Sequence, residues 1–226
     1  MTLLAHAIAA APPAPLSHEG LRGRPLAWSQ AGDLGLWSTE WAPDIKLERP
    51  DALEHHRLVE RICAAQPCLP VRFGTAFASS DDARASLDKR SVALRGALAR
   101  VAGKSEVALT LLWREAPEAK AIQSPAGGPG RRYMEGRRAE FAGREARRAR
   151  AESMVERVIT ELAIERQLVW HETCTSDNVA VSLAVLVPTE RARERKAELE
   201  RLAAQFTDVL PVLNGPWPPY TFARTD

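Results

Sequence analysis

The stretch LVWHETCTSDNVAVSLAVLV, residues 168–187, decides the fold of the second half of the chain. Two apolar segments flank Ser176, Asp177 and Asn178, residue types that favour tight turns, so the stretch is typical of a β-hairpin. Side chains alternate between the two faces of a strand. In the second segment every second residue is a branched aliphatic one: Val179, Val181, Leu183, Val185 and Val187. The stretch therefore predicts a hairpin whose second strand buries one face in a core.

The segments on either side of this hairpin predict the rest of a sheet. Upstream, the alternating SEVALTLLW (Ser105–Trp113) predicts a strand. Residues 131–168 predict one long helix, or two in line, with weak points at Gly136 and Gly143. Downstream, a charged helix begins after Pro188, and TDVLPVLN (residues 207–214) predicts a closing strand. The order strand, helix, strand, strand, helix, strand is that of the ferredoxin-like split βαβ fold. In that fold an antiparallel sheet carries its helices on one face.

The first half predicts a looser version of the same plan. Apolar runs, alternation and helix-start residues divide it into five regions. These are a strand at Leu3–Ala9, short strands within 24–43, a helix capped by Asp51 and stopped by Pro67, a strand over 69–77, and a helix from residue 79 to Gly103. The fold class that follows is α+β.

Composition indicates a globular protein of two domains. The chain has 226 residues, of which 45% are hydrophobic and 27% charged, and a formal net charge of +2. We expect domains at residues 1–120 and 121–226, with the Ser105–Trp113 strand open to sharing between them. The near-neutral charge gives no argument for a nucleic-acid partner, and no apolar run approaches the length of a membrane helix. The first residues, MTLLAHAIAA, lack the basic segment of a signal peptide, which favours a buried strand.

No group of residues predicts catalysis, a metal or a cofactor. His55, His56, Cys63 and Cys68 lie close in sequence, but the cysteines lack the second pair of a zinc site, and Cys63 lies on an apolar helical stripe. Three cysteines cannot all pair within one chain, so reduced cysteines in a cytoplasmic setting are the simpler expectation. His171 and Cys174 are three apart on a predicted strand and should point to opposite faces. We therefore expect a protein that presents surfaces and is not an enzyme.

Arginine is concentrated at the start of the long helix. Between residues 131 and 150 there are eight arginines and three glutamates. Such a helix could bind phosphates, could be a solvated surface with internal ion pairs, or could face an acidic partner. No RNA-binding signature accompanies it.

Two motifs resemble a known family. LPVRFGTAF (Leu69–Phe77) and NGPWPPYTF (Asn214–Phe222) are together similar to the gas vesicle protein F/L family. Weaker agreement comes from GKSEVALTLLW and GPGRRYMEGRR, in the same order along the chain. The resemblance implies a modified ferredoxin-like amino-terminal domain and an α+β carboxyl-terminal domain with a long helix. It also implies a cytoplasmic, gas-vesicle-associated accessory or minor structural protein that acts in nucleation and assembly.

The implied partners are the hydrophobic shell subunit, gas vesicle protein A, whose aggregation it would limit, and other accessory proteins. The residues to which the resemblance assigns a structural or interaction role are Leu69, Pro70, Arg72, Phe73, Gly74, Gly215, Pro216, Trp217, Pro218, Pro219 and Tyr220. We expect Gly215 and Pro216 to turn the chain out of the closing strand. Trp217, Tyr220 and Phe222 should then fold back as a clasp over an apolar seam, with the two domains the expected flanks. Direct contact with a partner is the other reading of this motif.

Two alternatives from other classes remain open at this point. One is a protein that binds nucleic acid or another anionic surface through the Arg-rich helix over residues 131–150. The other is a pair of ferredoxin-like domains that bind a small regulatory ligand.

Overall fold

The computed structural model describes residues 2–17, 19–42, 46–114 and 129–224. Its contacts divide the chain into two compact units, the first of residues 1–106 and 217–226 and the second of residues 107–216. The predicted domain boundary between residues 120 and 121 lies outside the described residues. Among the helices in the described ranges, none combines the length and the hydropathy that a membrane span requires.

Within its described residues the first unit has five strands and three α-helices. They are β1 (Thr2–Ala10), β2 (Leu26–Ala31), β3 (Leu34–Trp41), α1 (Arg49–Ala65), β4 (Cys68–Pro70), β5 (Ala76–Phe77), α2 (Ser80–Lys89) and α3 (Ser91–Val101). The strands form one sheet in the order β2-β3-β1-β4, and β5 also pairs with β1, at Leu3 and Leu4. The described pairings in this sheet are antiparallel.

Strand β1 lies at the centre of this sheet, and its apolar sequence allows it to be buried on both faces. Every residue from Leu3 to Ala9 is buried, so its sequence is almost continuously apolar and lacks the alternation of a half-exposed strand. On one side, Leu58 and Ile62 of α1 pack with Ala7 of β1 and Trp37 of β3. The predicted opening strand is therefore confirmed.

Three predictions for this half are wrong in detail. Residues 69–77 form two short strands, β4 and β5, because a turn with Gly74 at φ +86° separates them. The predicted helix from residue 79 to Gly103 is two helices, since Arg90 leaves helical geometry between α2 and α3. The predicted cap of α1, Asp51, lies inside the helix, and Glu48 occupies the cap position.

The second sheet has the predicted split βαβ order. Its elements are β6 (Lys104–Trp113), α4 (Pro129–Glu161), β7 (Val169–Ser176), β8 (Val179–Pro188), α5 (Ala192–Ala203) and β9 (Val209–Trp217). The strands lie in the order β7-β8-β6-β9, and β7 pairs with β8 in the expected antiparallel hairpin. The fold class α+β, with two antiparallel sheets and a long helix in the carboxyl-terminal half, is confirmed.

The core of the second unit lies between its helices and one face of this sheet. Met154 and Val158 of α4 and Leu199 of α5 pack with Leu183 and Val185 of β8. Leu183 and Val185 belong to the strand face that alternation predicts to be buried.

The expected turn out of the closing strand is wrong, because β9 continues through Gly215 and Pro216 to Trp217. A hydrogen bond of 2.7 Å from Lys196 Nζ to the Gly215 carbonyl oxygen holds this part of the strand.

Candidate interaction surface

The first motif, Leu69–Gly74, begins inside the sheet and ends at its surface. Leu69 and Pro70 are buried in β4, where they pair with Ile8 and Ala7 of β1. The chain then leaves the strand, and Arg72 and Gly74 are exposed. The Phe73 ring is half-buried and lies edge-on to the His55 imidazole, with the ring centroids 5.4 Å apart.

A chain of hydrogen bonds under this motif runs through two buried histidines. The His6 Nδ1 and His55 Nδ1 atoms are 3.0 Å apart, His6 Nε2 lies 2.8 Å from Thr39 Oγ1, and His55 Nε2 lies 3.1 Å from the Val71 carbonyl oxygen. A carbonyl oxygen only accepts, so His55 Nε2 carries a proton and His55 Nδ1 accepts from His6. His6 Nε2 then accepts from the Thr39 hydroxyl, so the donor and the acceptor of each hydrogen bond in this series are assigned.

Burial keeps this histidine pair neutral. Both side chains are almost completely inaccessible. Burial, with the neighbouring His55, lowers the pKa of His6 from its usual 6.5 to about 3. Burial also lowers the pKa of His55, against the opposing effect of its hydrogen bond to Val71. The two histidines hold the backbone of the motif at Val71. The His55 imidazole donates to the Val71 carbonyl oxygen, and the Val71 amide donates to the His6 carbonyl oxygen at 2.8 Å.

The second motif folds onto α1 in the first unit. The Tyr220 ring stacks on the His56 imidazole at a centroid distance of 6.0 Å, and the Trp217 ring meets the same imidazole edge-on at 6.1 Å. Pro218 and Pro219 are buried, and the Tyr220 amide donates to the Pro218 carbonyl oxygen at 2.8 Å. Proline restricts the unfolded chain, so this extended path is held at a reduced cost in conformational entropy.

Glu106 anchors the end of this motif. Its carboxylate accepts hydrogen bonds from the Thr221 amide at 2.8 Å and from the Thr221 hydroxyl at 2.7 Å. Arg100 of α3 donates to the Phe222 carbonyl oxygen at 2.9 Å. Burial raises the pKa of the Glu106 carboxyl, while the hydrogen bonds from Thr221 and Trp217 oppose that rise. The side chain is therefore a buried acceptor dedicated to the carboxyl-terminal segment.

The structure brings the two motifs to consecutive residues of one helix. Phe73 contacts His55, and Trp217 and Tyr220 contact His56. These contacts favour the clasp reading for the terminal aromatic residues. A role of the motif residues in binding a partner stays a prediction.

The four histidines and cysteines that lie close in sequence, His55, His56, Cys63 and Cys68, make other contacts. Cys63 and Cys68 form a disulfide between the end of α1 and the start of β4, so the expectation of reduced cysteines is wrong for this pair. The helix end and the strand start bring their Cα atoms to 5.3 Å, within the range that a disulfide spans. In the described ranges, His, Cys, Asp and Glu side chains form no group that could hold a metal ion.

The reasoning from sequence missed Glu106, His6 and Thr39. Glu106 was one residue in an alternating strand, and its partner Thr221 is 115 residues away. A charged residue inside an otherwise apolar strand was the available signal, because buried charges in proteins are paired or hydrogen-bonded. His6 lies in the middle of a buried apolar strand and carried the same signal.

Comparisons with known proteins agree with the described fold. A family model for the gas vesicle synthesis protein GvpL/GvpF matches residues 3–224. The crystal structure of gas vesicle protein GvpF from Microcystis aeruginosa is 19% identical, with a TM-score of 0.76 over 99% of both chains. That of GvpF from Anabaena sp. PCC7120 is 20% identical, with a TM-score of 0.75 over 100% of this chain and 97% of the other. Comparison with curated protein sequences finds no significant match.

Proposed function

The chain belongs to the gas vesicle synthesis protein GvpL/GvpF family, and from this premise we propose that it is an accessory protein of gas vesicle assembly that binds the hydrophobic shell subunit. The family match over residues 3–224 is the observation that carries the proposal. A gas-vesicle-related role follows from membership itself. The binding of gas vesicle protein A, the action in nucleation and the contacts with other accessory proteins are the proposed part.

The proposed role is a physical one and needs no catalysis. A shell subunit with a large apolar face aggregates unless that face is covered before it joins the wall. A partner can cover it by adding a strand to a sheet edge or by offering an apolar groove of modest affinity. In this protein β2 and β4 are terminal strands of the first sheet, and β7 and β9 of the second. We propose that the protein acts in the cytoplasm as a chaperone of this kind and is not an enzyme.

Deleting the gene in a vesicle-forming host tests the proposal. The expected result is a loss or malformation of vesicles in electron micrographs, restored by a plasmid copy. Normal vesicles in the deletion strain would contradict the proposal. The Glu200→Ala variant, a change at an exposed residue of α5, is the matched control and should restore vesicles as well as the natural sequence does.

Binding of nucleic acid or another anionic surface is the alternative function, and the arginine surplus of α4 favours it. Part of that surplus is engaged within the helix, since Arg131 pairs with Glu135, and Arg137 and Arg144 both pair with Glu140. A gel shift that weakens steeply with salt would support this alternative. Its absence at low salt would remove it.

A further inference from the structure

The amino-terminal half of α4 leaves an amphipathic face uncovered within the described structure. Among residue 131 and residues 133–150, none is buried, whereas Ala151 and the apolar residues that follow it enter the core of the second unit. Three large apolar side chains lie in the uncovered half: Tyr133, Met134 and Phe141, which are 66%, 54% and 60% exposed. We define this half, residues 131–150, as the projecting segment.

The apolar residues of the projecting segment continue the stripe that the rest of the helix buries. Met134, Phe141, Arg148 and Val155 follow one another at intervals of seven residues, which places them on nearly the same face. Val155 is 1% exposed. The spacing from Met134 to Phe141 and from Phe141 to Arg148 is about 10 Å along the axis. The face that packs on the sheet at Val155 is therefore the face left open at Phe141.

This face also opens onto a groove beside strand β7. The groove has a volume of about 720 Å³ and is lined mainly by polar and charged side chains: Arg148, Glu152, Val155 and Glu156 of α4 and His171, Glu172, Thr173 and Thr175 of β7. The three glutamates of this groove would repel an acidic partner, so such a partner would lie along the projecting segment and stop short of the groove. Apolar positions seven residues apart are the spacing with which one helix recognises another.

The charge of the projecting segment identifies the chemistry of its partner. Eight arginines and three glutamates leave a surplus of five positive charges in 20 residues, although Arg148 and Arg150 also pair with Glu152 and Asp208 outside the segment. Arg137 lies over the Phe141 ring at 5.3 Å and also pairs with Glu140, so charge and apolar surface share one face. We propose that the projecting segment docks an acidic amphipathic helix of a partner protein, with apolar anchors on Met134 and Phe141 and carboxylates beside the arginines.

Other occupants fit this face less well. A second copy would bring one arginine-rich segment against another, and like charges at close range repel. If the segment bound a lipid surface, the ion pairs of Glu140 with Arg137 and Arg144 would enter the membrane interface together with Phe141. Burying these charged groups would oppose binding. Nucleic acid would leave Met134 without a role, since phosphates are bound by charge and polar groups.

A binding experiment with defined probes tests the proposal. The probe is a fluorescent peptide of about 20 residues with leucine at the first and fourth positions of each heptad, glutamate at the positions flanking them, and alanine elsewhere to keep it helical. The full-length protein should bind it with an affinity that falls about tenfold between low and high salt. A peptide with lysine in place of glutamate should bind at least about tenfold more weakly. No binding of the acidic peptide would overturn the proposal.

Matched variants distinguish the projecting segment from the rest of the surface. Phe141→Glu, and separately Arg144→Glu, should each weaken binding at least about tenfold, with unchanged circular dichroism because both side chains are exposed. Leu53→Glu, on the exposed side of α1, changes an equally exposed apolar residue (64%) and should bind as the natural protein does. Equal binding by Phe141→Glu and the natural protein would overturn the proposal. Two other results would also overturn the proposal. One is a dimer of the natural protein that Phe141→Glu abolishes. The other is binding to anionic vesicles or DNA, without binding to the peptide, that Phe141→Glu abolishes.

Discussion

Replacing Glu106 by alanine should release the carboxyl-terminal segment from the rest of the first unit. Glu106 is 4% exposed, and Thr221 donates two hydrogen bonds to it, at 2.8 and 2.7 Å. Nothing else described accepts from the Thr221 amide, so the substitution leaves that donor to find water or remain unpaired. The segment that it would release carries Trp217 and Tyr220.

The expected cost follows from these two contacts. A hydrogen bond to a charged group contributes about 1.5–3 kcal/mol. Removing the buried charge also removes its desolvation penalty, which is the cause of the raised pKa of Glu106 and which offsets part of the loss. We therefore expect Glu106→Ala to lower the free energy of unfolding by about 2 kcal/mol. Glu106→Gln keeps one acceptor oxygen and should lose about half as much.

Urea unfolding and hydrogen exchange together measure the effect. The midpoint should fall in urea, and the Thr221 amide should exchange faster, while amides in the core of the second unit keep their protection near Leu183. Glu145→Ala, at an exposed position of α4, is the control and should change stability by less than about 0.5 kcal/mol. Unchanged exchange at Thr221 and an unchanged urea midpoint in Glu106→Ala would refute the anchoring role.

Three further predictions concern the first unit. Trp217→Ala should lower the free energy of unfolding by about 2–3 kcal/mol and the melting temperature by about 5–10 °C, because it removes the edge-on contact with His56. Loss of shell-subunit binding with unchanged melting would instead make Trp217 an interface residue. Asp51→Ala should cost about 1–2 kcal/mol in urea unfolding, since it removes the carboxylate that accepts two hydrogen bonds from Arg22 at 2.7 Å and one from the Glu48 amide at 2.6 Å. An effect below about 0.5 kcal/mol would contradict this. The free energy of unfolding should fall as the pH drops below 6.5. The reason is that His6 binds a proton near pH 6.5 in the unfolded chain, whereas its pKa in the folded chain is about 3. The loss from His6 at pH 5 is about 2 kcal/mol, and a flat stability profile between pH 7 and 5 would contradict the neutral histidine pair.

The second unit could be predicted from sequence because its signals are local and agree with one another. The alternation in β8, the turn after Ser176 and the stripe through Met154 and Val158 each specify one element independently of distant contacts. Once the order of elements is known, few topologies remain for a sheet of four strands. The observed sheet, in the order β7-β8-β6-β9, is the antiparallel sheet that this class of fold requires.

The features that escaped prediction depend on distant partners or on unmarked breaks. Arg90 ends α2 without the glycine or proline that usually signals a helix end, so the break before α3 was not visible. Gly215 and Pro216 are turn-forming residue types, yet β9 runs through them. The anchor at Glu106 requires Thr221 from the far end of the chain, and no local pattern identifies such a pair. The candidate surface was thus located by resemblance, while its internal support became visible only in the structure.

Co-purification with the shell subunit tests the central proposal most directly. The tagged protein and the small apolar shell subunit of a gas-vesicle-forming organism are co-expressed, and the shell subunit is measured in the pull-down and in the supernatant after high-speed centrifugation. Our account predicts that the protein retains the shell subunit in both fractions, whereas an unrelated tagged protein of similar size leaves it in the pellet. A shell subunit that pellets equally in the presence and absence of this protein, and that is absent from the pull-down, would contradict the account.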